Sequence, residues 1–242
     1  RREKSLVLTD LPDKIRQVNT CEITNRKEYM DAERDLIMYL QKYKDADDDK
    51  IAKAMRGEVM VRINILRQIS ARGKVRDVIE FVKDFRENGK KIILFCSLHE
   101  VVDQLKRYFP TAVSVTGRDS QDEKQRAVDA FQNNPKADII ICSIKAAGVG
   151  LTLTASSNVA FVEFPWTYAD CCQCEDRAHR IGQKDSVTCY YFLGRRTIDE
   201  KVYRIIQEKK NIANAVTGST EDIEENIVDM VARIFDTDYD DE

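Results

Sequence analysis

The sequence predicts an α/β fold, a parallel sheet flanked by helices, with a helical insertion before the sheet and trailing helices after it. Two observations carry this. Apolar runs of strand length at KKIILFCS (90 to 97), Ala112 to Thr116, Asp138 to Cys142, Val159 to Glu163 and Val187 to Leu193 alternate with helix-like segments at about 99 to 109, 121 to 133 and 169 to 181. Strands apolar at nearly every position are buried on both faces, and such strands alternating with helices form parallel sheets with right-handed crossovers. On either side of this region the apolar residues recur at three-to-four spacing, the period of a helix.

The elements follow in order. Residues 1 to 25 are polar and mixed, broken at Leu11 and Pro12, and read as an extended or loosely structured entry segment. Over 26 to 72 a helical layer is expected from Leu36, Ile37 and Leu40, then Ile51, Ala54 and Met55, then Ile63, Leu66 and Ile69, with an interruption near Asp45 to Lys50. The sheet-bearing lobe occupies 73 to 195 and opens with a helical stretch (Val75, Val78, Ile79, Val82, Phe85) that stops at Asn88 and Gly89. Three helix starts carry a Ser or Thr followed three residues later by Glu, the pattern that satisfies two orphan amides reciprocally: Ser97 with Glu100, Ser120 with Glu123, Thr197 with Glu200. The first sets a helix start at the end of the strand Ile92 to Cys96, on the carboxyl edge where open α/β sheets bind ligands. Trailing helices are expected over 196 to 235, jointed at Gly218 and Ser219, and 236 to 242 is an acidic tail expected to be disordered.

Composition narrows the class. At 242 residues, 43% of them hydrophobic, the chain suffices for one well-cored domain with appended elements, and no apolar run approaches the roughly 20 residues of a membrane span. Seven irregularly spaced cysteines point to free thiols and an intracellular, reducing compartment, cytoplasm or nucleoid in a bacterium, nucleus in a eukaryote. The start at Arg1, with neither an initiator methionine nor a secretory pattern, suggests a piece of a longer polypeptide. The net charge of −3 is uneven. Without the tail's Asp236, Asp238, Asp240, Asp241 and Glu242 the remainder carries +2, and setting aside Asp45, Asp47, Asp48 and Asp49 leaves +6. Charge therefore neither supports nor excludes a nucleic-acid partner.

One segment carries chemistry. In QCEDRAHRIGQ (173 to 183), Gln173, Arg177 and Arg180 stand at i, i+4 and i+7, one face of a helix running from about Ala169 to Ile181. Two guanidinium forks and an amide on one stripe suit a multiply charged anion such as a phosphate chain. On spacing alone, a solvated face paired with Glu175 and Asp176 accounts for the same residues. Upstream, SIKAAGVGLTLTAS (143 to 156) follows an apolar strand and holds Gly148 and Gly150, where backbone amides can approach a phosphate closely.

The succession of this segment, EFPW (Glu163 to Trp166) and QCEDRAHRIGQ resembles motifs five and six of helicase superfamily two, in its Swi/Snf branch. RREKSLVLTDLP resembles the family's entry into its second lobe, KKIILFCS its motif four, TGRDSQDEKQRAVDAF (116 to 131) the segment after that, and TIDEKVYRIIQEK (197 to 209) the stretch beyond motif six. The resemblance spans roughly residues 1 to 215, and Glu163 to Trp166 with Glu175 and Asp176 look closest to the annealing-helicase branch. It implies a RecA-like, P-loop NTPase-like C-terminal lobe of an ATP-dependent DNA translocase. By match, Arg180 and Arg177 are the catalytic arginine fingers, and Gln173, Gly148 and Gly150 meet ATP bound against an N-terminal RecA-like lobe of the same polypeptide. That other lobe supplies the phosphate loop and the Mg2+ ligands. The same match implies contacts of Ser97, His99, Arg118, Ser143 and Lys145 with the backbone of double-stranded or forked DNA. No GxxxxGK[ST] and no DExH-like box occur in the 242 residues, so this lobe alone is expected to be inactive. Two departures stand out: Trp166 is followed by Thr167 and Tyr168 where the family has Asn-Pro, and Lys124 stands where it commonly has arginine.

No metal site is expected. Cys171, Cys172 and Cys174 lack a second ligand pair at zinc spacing, and the Asp45, Asp47, Asp49 run lacks the glycine and glutamate of a calcium loop. His179 is read as an orienting residue of the arginine helix rather than a base. The lobe of a strand-separating helicase or restriction-type motor, and a non-enzymatic interaction module, stay open as alternatives.

Overall fold

The computed structural model describes residues 11–44, 49–147, 150–209, 228–231 and 235. One sheet holds β1 (Lys14–Cys21), β2 (Ile92–Phe95), β3 (Val113–Val115), β4 (Ile139–Cys142), β5 (Asn158–Phe161) and β6 (Val187–Gly194), in the order β1-β6-β5-β2-β4-β3. Strands β2 to β6 pair in parallel, with Ile93 opposite Ile140 on one side and Val159 on the other. The helices are α1 (Arg26–Lys44), α2 (Asp49–Glu87), α3 (His99–Tyr108), α4 (Gln121–Asn133), α5 (Ile144–Ala147), α6 (Tyr168–Glu175) and α7 (Ile198–Lys209). All five expected strands are present. The region expected to trail as a second helix lies largely outside the described residues, as does the acidic tail.

Strand β1 is more definite than the sequence reading, which took residues 1 to 25 as an extended or loosely structured entry segment. Its signal is irregular: on the edge of the sheet, Ile15 is exposed while Lys14 and Arg16, two residues apart on the other face, are half-buried, and Val18 further along is exposed as well. An alternation with charge on the covered face does not read as a strand, because the usual cue is apolar residues pointing inward.

The chain divides into two compact units, one of residues up to Cys21 with Lys74–Leu193, the other of Glu22–Gly73 with residues from Gly194 onward. In the first, β2 and β4 are buried at every position, as parallel strands covered on both faces must be. Phe95, Phe161 and Tyr191 stack along one rung of β2, β5 and β6, with ring centroids 5.2 and 4.6 Å apart. Each such contact adds about 0.5–1.5 kcal/mol beyond burial. Helix α4 begins with the expected capping box, Ser120 accepting from the Glu123 amide and Glu123 from the Ser120 amide, and buries Ala127, Val128 and Phe131. The buried Lys74 donates to the carbonyls of Val162 and Phe192, 2.8 Å each, just past β5 and within β6.

The second unit is helical. Tyr29, Leu36 and Leu40 of α1, Ile63, Leu66 and Ile69 of α2, and Ile198, Val202 and Ile206 of α7 are buried. Helix α2 runs without a break across Gly73, whose Cβ, if present, would lie 2.2 Å from Asn25 Oδ1 and 2.7 Å from Ile23 Cβ. The glycine therefore serves a close approach rather than an interruption. At α7, the Thr197 hydroxyl accepts from the Asp199 amide and Glu200 accepts from Arg196 N, so Thr197 caps the helix but the expected reciprocal box with Glu200 is not formed. Tyr29 Oη, 2.6 Å away, accepts from the Ile198 amide and covers a further orphan donor of that helix.

Candidate functional site

The sheet order locates a site by itself. From β2 the chain passes β4 to reach β3, returns to β4, then crosses to β5 on the other side of β2, so the connections diverge around β2. Ligand crevices of open α/β sheets form outside the carboxyl ends at such a point. The segments after β2, β4 and β5 meet there: Cys96 N donates to Cys142 O, and Val162 N to Phe95 O. Glu163 Oε2 accepts from the amides of Ser97 and Leu98, 2.8 Å each, at the start of α3. This corrects the expected capping box. The residue at the cap of α3 is Leu98, with no side-chain cap, and the anion that its amides attract comes from Glu163.

The expected backbone-contact residues all follow the carboxyl ends of adjacent strands. Ser97 is exposed after β2, and His99, half-buried, is the first residue of α3. After β3, exposed Arg118 is paired with Asp103, its Nη1 3.0 Å from both carboxylate oxygens. After β4, Ser143 is buried, its amide donating to Val115 O, while Lys145 on α5 is exposed.

The arginine segment departs from its expected geometry. Helix α6 stops at Glu175, and residues 176 to 182 form successive turns, so Gln173, Arg177 and Arg180 are not a stripe on one regular helix. The cause is local competition for carbonyls. Arg177 N bonds to Cys174 O and Ala178 N to Glu175 O, three residues back, while Arg177 O accepts from Leu153 N at 2.8 Å and leaves the helical ladder. Gly182, at φ 100°, takes the chain out of the turns through a conformation other residues resist. Gln183 locks the exit: buried, it donates to the carbonyls of Thr154, Ser156 and Ala178 and accepts from the Lys184 and Asp185 amides.

What remains of the stripe is a close pair. Gln173 is exposed on α6. Arg180 Nη1 donates to Gly150 O (3.2 Å), Leu151 O (3.1 Å) and Thr152 Oγ1 (3.3 Å). Arg177 is buried, and its Nε has no hydrogen-bond partner. Burial lowers its pKa from the usual arginine value, and the neighbouring Arg180 charge lowers it further. Among the described residues, neither guanidinium lies within 4.0 Å of a carboxylate. Gly150 sits in the left-handed region at φ 49°, whereas Gly148 lies outside the described residues. Of this like-charged pair, Arg180 is held by neutral oxygens and Arg177 has an unmet buried donor, worth about 1–3 kcal/mol, a donor set chemically suited to an anion.

Glu175, which on spacing alone could partner the arginines of its own segment, is engaged elsewhere. Its buried carboxylate accepts from Arg16 Nε (2.6 Å) and Nη2 (2.7 Å), sits 2.8 Å from Lys14 Nζ, and accepts from Tyr191 Oη (2.8 Å). Burial alone would raise its pKa, but the hydrogen bonds and charges of Arg16 and Lys14 outweigh that and hold it below the usual carboxylate range. The seven cysteines are free, and burial pushes the Cys174 thiol up to about 12. Among the described residues no cluster of three or more His, Cys, Asp or Glu is set to hold a metal. No helix among them is long and apolar enough to cross a membrane.

Comparison with known proteins agrees with this architecture. Residues 73–182 match the family model of the helicase conserved C-terminal domain. The chain is 30% identical over 216 residues to the SWI/SNF-related matrix-associated actin-dependent regulator of chromatin subfamily A-like protein 1 of Xenopus tropicalis, covering 86% of this chain and 22% of that protein. It is 30% identical over 230 residues to the human DNA annealing helicase and endonuclease ZRANB3, covering 91% of this chain and 20% of that one. The chain thus spans about a fifth of the length of these curated relatives. Among solved structures, the Sulfolobus solfataricus SWI2/SNF2 ATPase C-terminal domain superposes with TM-score 0.67 at 20% identity, over 88% of this chain and 94% of that one. The ATPase core from the same organism, solved in complex with double-stranded DNA, superposes with TM-score 0.69 at 22% identity, over 92% of this chain and 50% of that one. At these identities the structures speak for the fold. With the matched family model, the relatives and the parallel sheet in agreement, the chain belongs to the Swi/Snf-type helicases of superfamily two, as their C-terminal RecA-like lobe.

Proposed function

We infer that this lobe is half of the motor of an ATP-dependent double-stranded-DNA translocase, in which Arg180 and Arg177 act as arginine fingers on ATP held against an N-terminal RecA-like lobe of the same polypeptide. The observation that carries the reading is the pair of adjacent guanidiniums without carboxylate partners, one of them buried with an orphaned Nε. That donor set fits a polyphosphate. Arg180, Arg177 and Gln173, with backbone near Gly148 and Gly150, would hold the nucleotide from this side, and the Mg2+ ligands belong to the other lobe. The bound nucleotide with its metal supplies the phosphoryl group and neutralises its charge. Phosphoryl transfer depends on positioning and charge stabilisation, so fixed guanidiniums are what this chain contributes, and the lobe alone is inactive.

Ser97, His99, Arg118, Ser143 and Lys145, gathered after β2, β3 and β4, are assigned to the DNA phosphate backbone, which gives affinity without sequence preference, as translocation requires. The archaeal neighbour in complex with double-stranded DNA and the annealing helicase among the relatives support double-stranded or forked DNA as the partner. The setting is intracellular, the nucleus in a eukaryote. The test is Arg180→Ala in the full-length protein: ATP and DNA binding persist while DNA-stimulated hydrolysis falls by about 10³-fold or more. Hydrolysis at the wild-type rate would sink the assignment.

A further inference from the structure

The arginine segment is held from one direction by strand β1 and the residues just before it. Lys14 and Arg16 stand two apart, the spacing that sends successive side chains to one face, and Pro12, ahead of the strand, contributes its carbonyl. Pro12 O lies 2.7 Å from His179 Nε2, and since a carbonyl only accepts, Nε2 carries the proton. Lys14 Nζ reaches Glu175 at 2.8 Å and Asp176 at 3.4 Å. Arg16 makes the double contact with Glu175, donates to Cys172 Sγ at 3.4 Å, and lies over the Tyr168 ring at 5.2 Å. Tyr168, Cys172 and Glu175 are i, i+4 and i+7 on α6, so one guanidinium touches three residues along a single face of that helix. Tyr191 of β6 closes the network on Glu175. The tethered positions Glu175, Asp176 and His179 flank Arg177 and immediately precede Arg180.

The geometry points to Arg16 and Lys14 as positioning residues for the arginine fingers, acting through Glu175. The inference rests on the finger assignment above. Its reason is mechanical: residues 176 to 182 leave the regular helix and are joined by mixed short-range backbone bonds, so the direction of both guanidiniums depends on what else clamps their backbone. A shift of about 1 Å in a group that must meet a developing charge costs on the order of 10²-fold in rate. A simple buried ion pair is a weak reason for stability, because desolvation offsets its attraction, and its better-attested use is to fix one arrangement among several.

The experiment uses the full-length protein with three changes, Arg16→Ala, Arg16→Lys and Lys14→Met, each alone and combined with Arg180→Ala. Folding is checked by circular dichroism and retained DNA binding. Lys14→Met leaves the Arg16–Glu175 contact in place and serves where Arg16→Ala does not fold. Expected are a fall in kcat of roughly ten- to a hundred-fold with KM for ATP within about twofold, partial recovery in Arg16→Lys, and a smaller fold-loss when either change is added to Arg180→Ala, where only Arg177 is left to position. A folded Lys14→Met or Arg16→Ala protein with wild-type kcat overturns the proposal, as does a loss that multiplies with that of Arg180→Ala. Wild-type hydrolysis in Arg180→Ala alone overturns the finger assignment instead, so the two failures are distinct.

Discussion

Glu175→Gln isolates the charge at the centre of the network with almost no change of shape. The amide still has an oxygen for two of the donors, but Arg16 loses its counter-ion, Lys14 keeps only the more distant Asp176, and the introduced NH2 faces two donors whichever oxygen it replaces. Breaking one side of a buried pair costs about 3–5 kcal/mol, chiefly because the remaining charge is stranded. Here the side chains of Lys14 and Arg16 keep 18% and 22% of their exposure, enough for partial hydration, which places the loss at the low end, near 3 kcal/mol. For a chain of this size that corresponds to roughly 6–12 °C in Tm. The pH dependence has a defined sign. Because the folded carboxyl titrates below the unfolded one, whose ordinary value is 4.5, its stabilisation is complete above that pH and is lost as pH falls below it. Urea unfolding of both proteins at pH 7 and at pH 4 should show a gap that narrows in acid. A gap of under about 0.5 kcal/mol at pH 7, or one of equal size at both pH values, would refute the reasoning.

Other outcomes follow from the packing. Gly73→Ala should destabilise the protein although alanine is favoured in a helix interior by about 1 kcal/mol, because the added methyl meets Ile23 Cβ at 2.7 Å and overpacking of this kind costs about 1–3 kcal/mol; a raised Tm would contradict it. Ser120→Ala removes one half of a formed capping box and should cost about 1 kcal/mol in urea unfolding, with no change in ATP hydrolysis by the full-length protein. Arg118→Ala should weaken DNA binding and reduce its salt slope by about one counter-ion, and Asp103→Asn, which frees that guanidinium from its carboxylate, should strengthen binding at low salt. Unchanged salt slopes in both would remove Arg118 from the DNA contact set.

The legibility of this chain in its sequence follows the kind of force that shapes each part. Strands β2, β4 and β5 were readable because they are buried on both faces, so nearly every residue is apolar, and α4 because its capping box is local. Strand β1 was not readable, since its covered face carries Lys14 and Arg16, and these belong there only in the company of Glu175, about 160 positions away. The start of α3 was misread for the same reason. Ser97 and Glu100 had the right spacing, yet the anion on its amides is Glu163, from beyond a strand three connections later.

By itself the sequence determined the α/β class, the order of strands β2 to β6 with the helices between them, and the identity of the arginine segment, since these depend on hydrophobic period, short-range capping and a motif read along the chain. It also established that Arg177 and Arg180 lie near each other, because three residues in any turn or helix are neighbours. Only the tertiary structure decided how that segment is shaped and held. Leu153 draws the Arg177 carbonyl out of the helix, Gly150, Leu151 and Thr152 fix the Arg180 guanidinium, and Arg16 claims the carboxylate that looked like a local partner. Contacts between residues far apart in the chain cost loop-closure entropy and leave no periodic trace, so they exist only once the fold has brought their partners together.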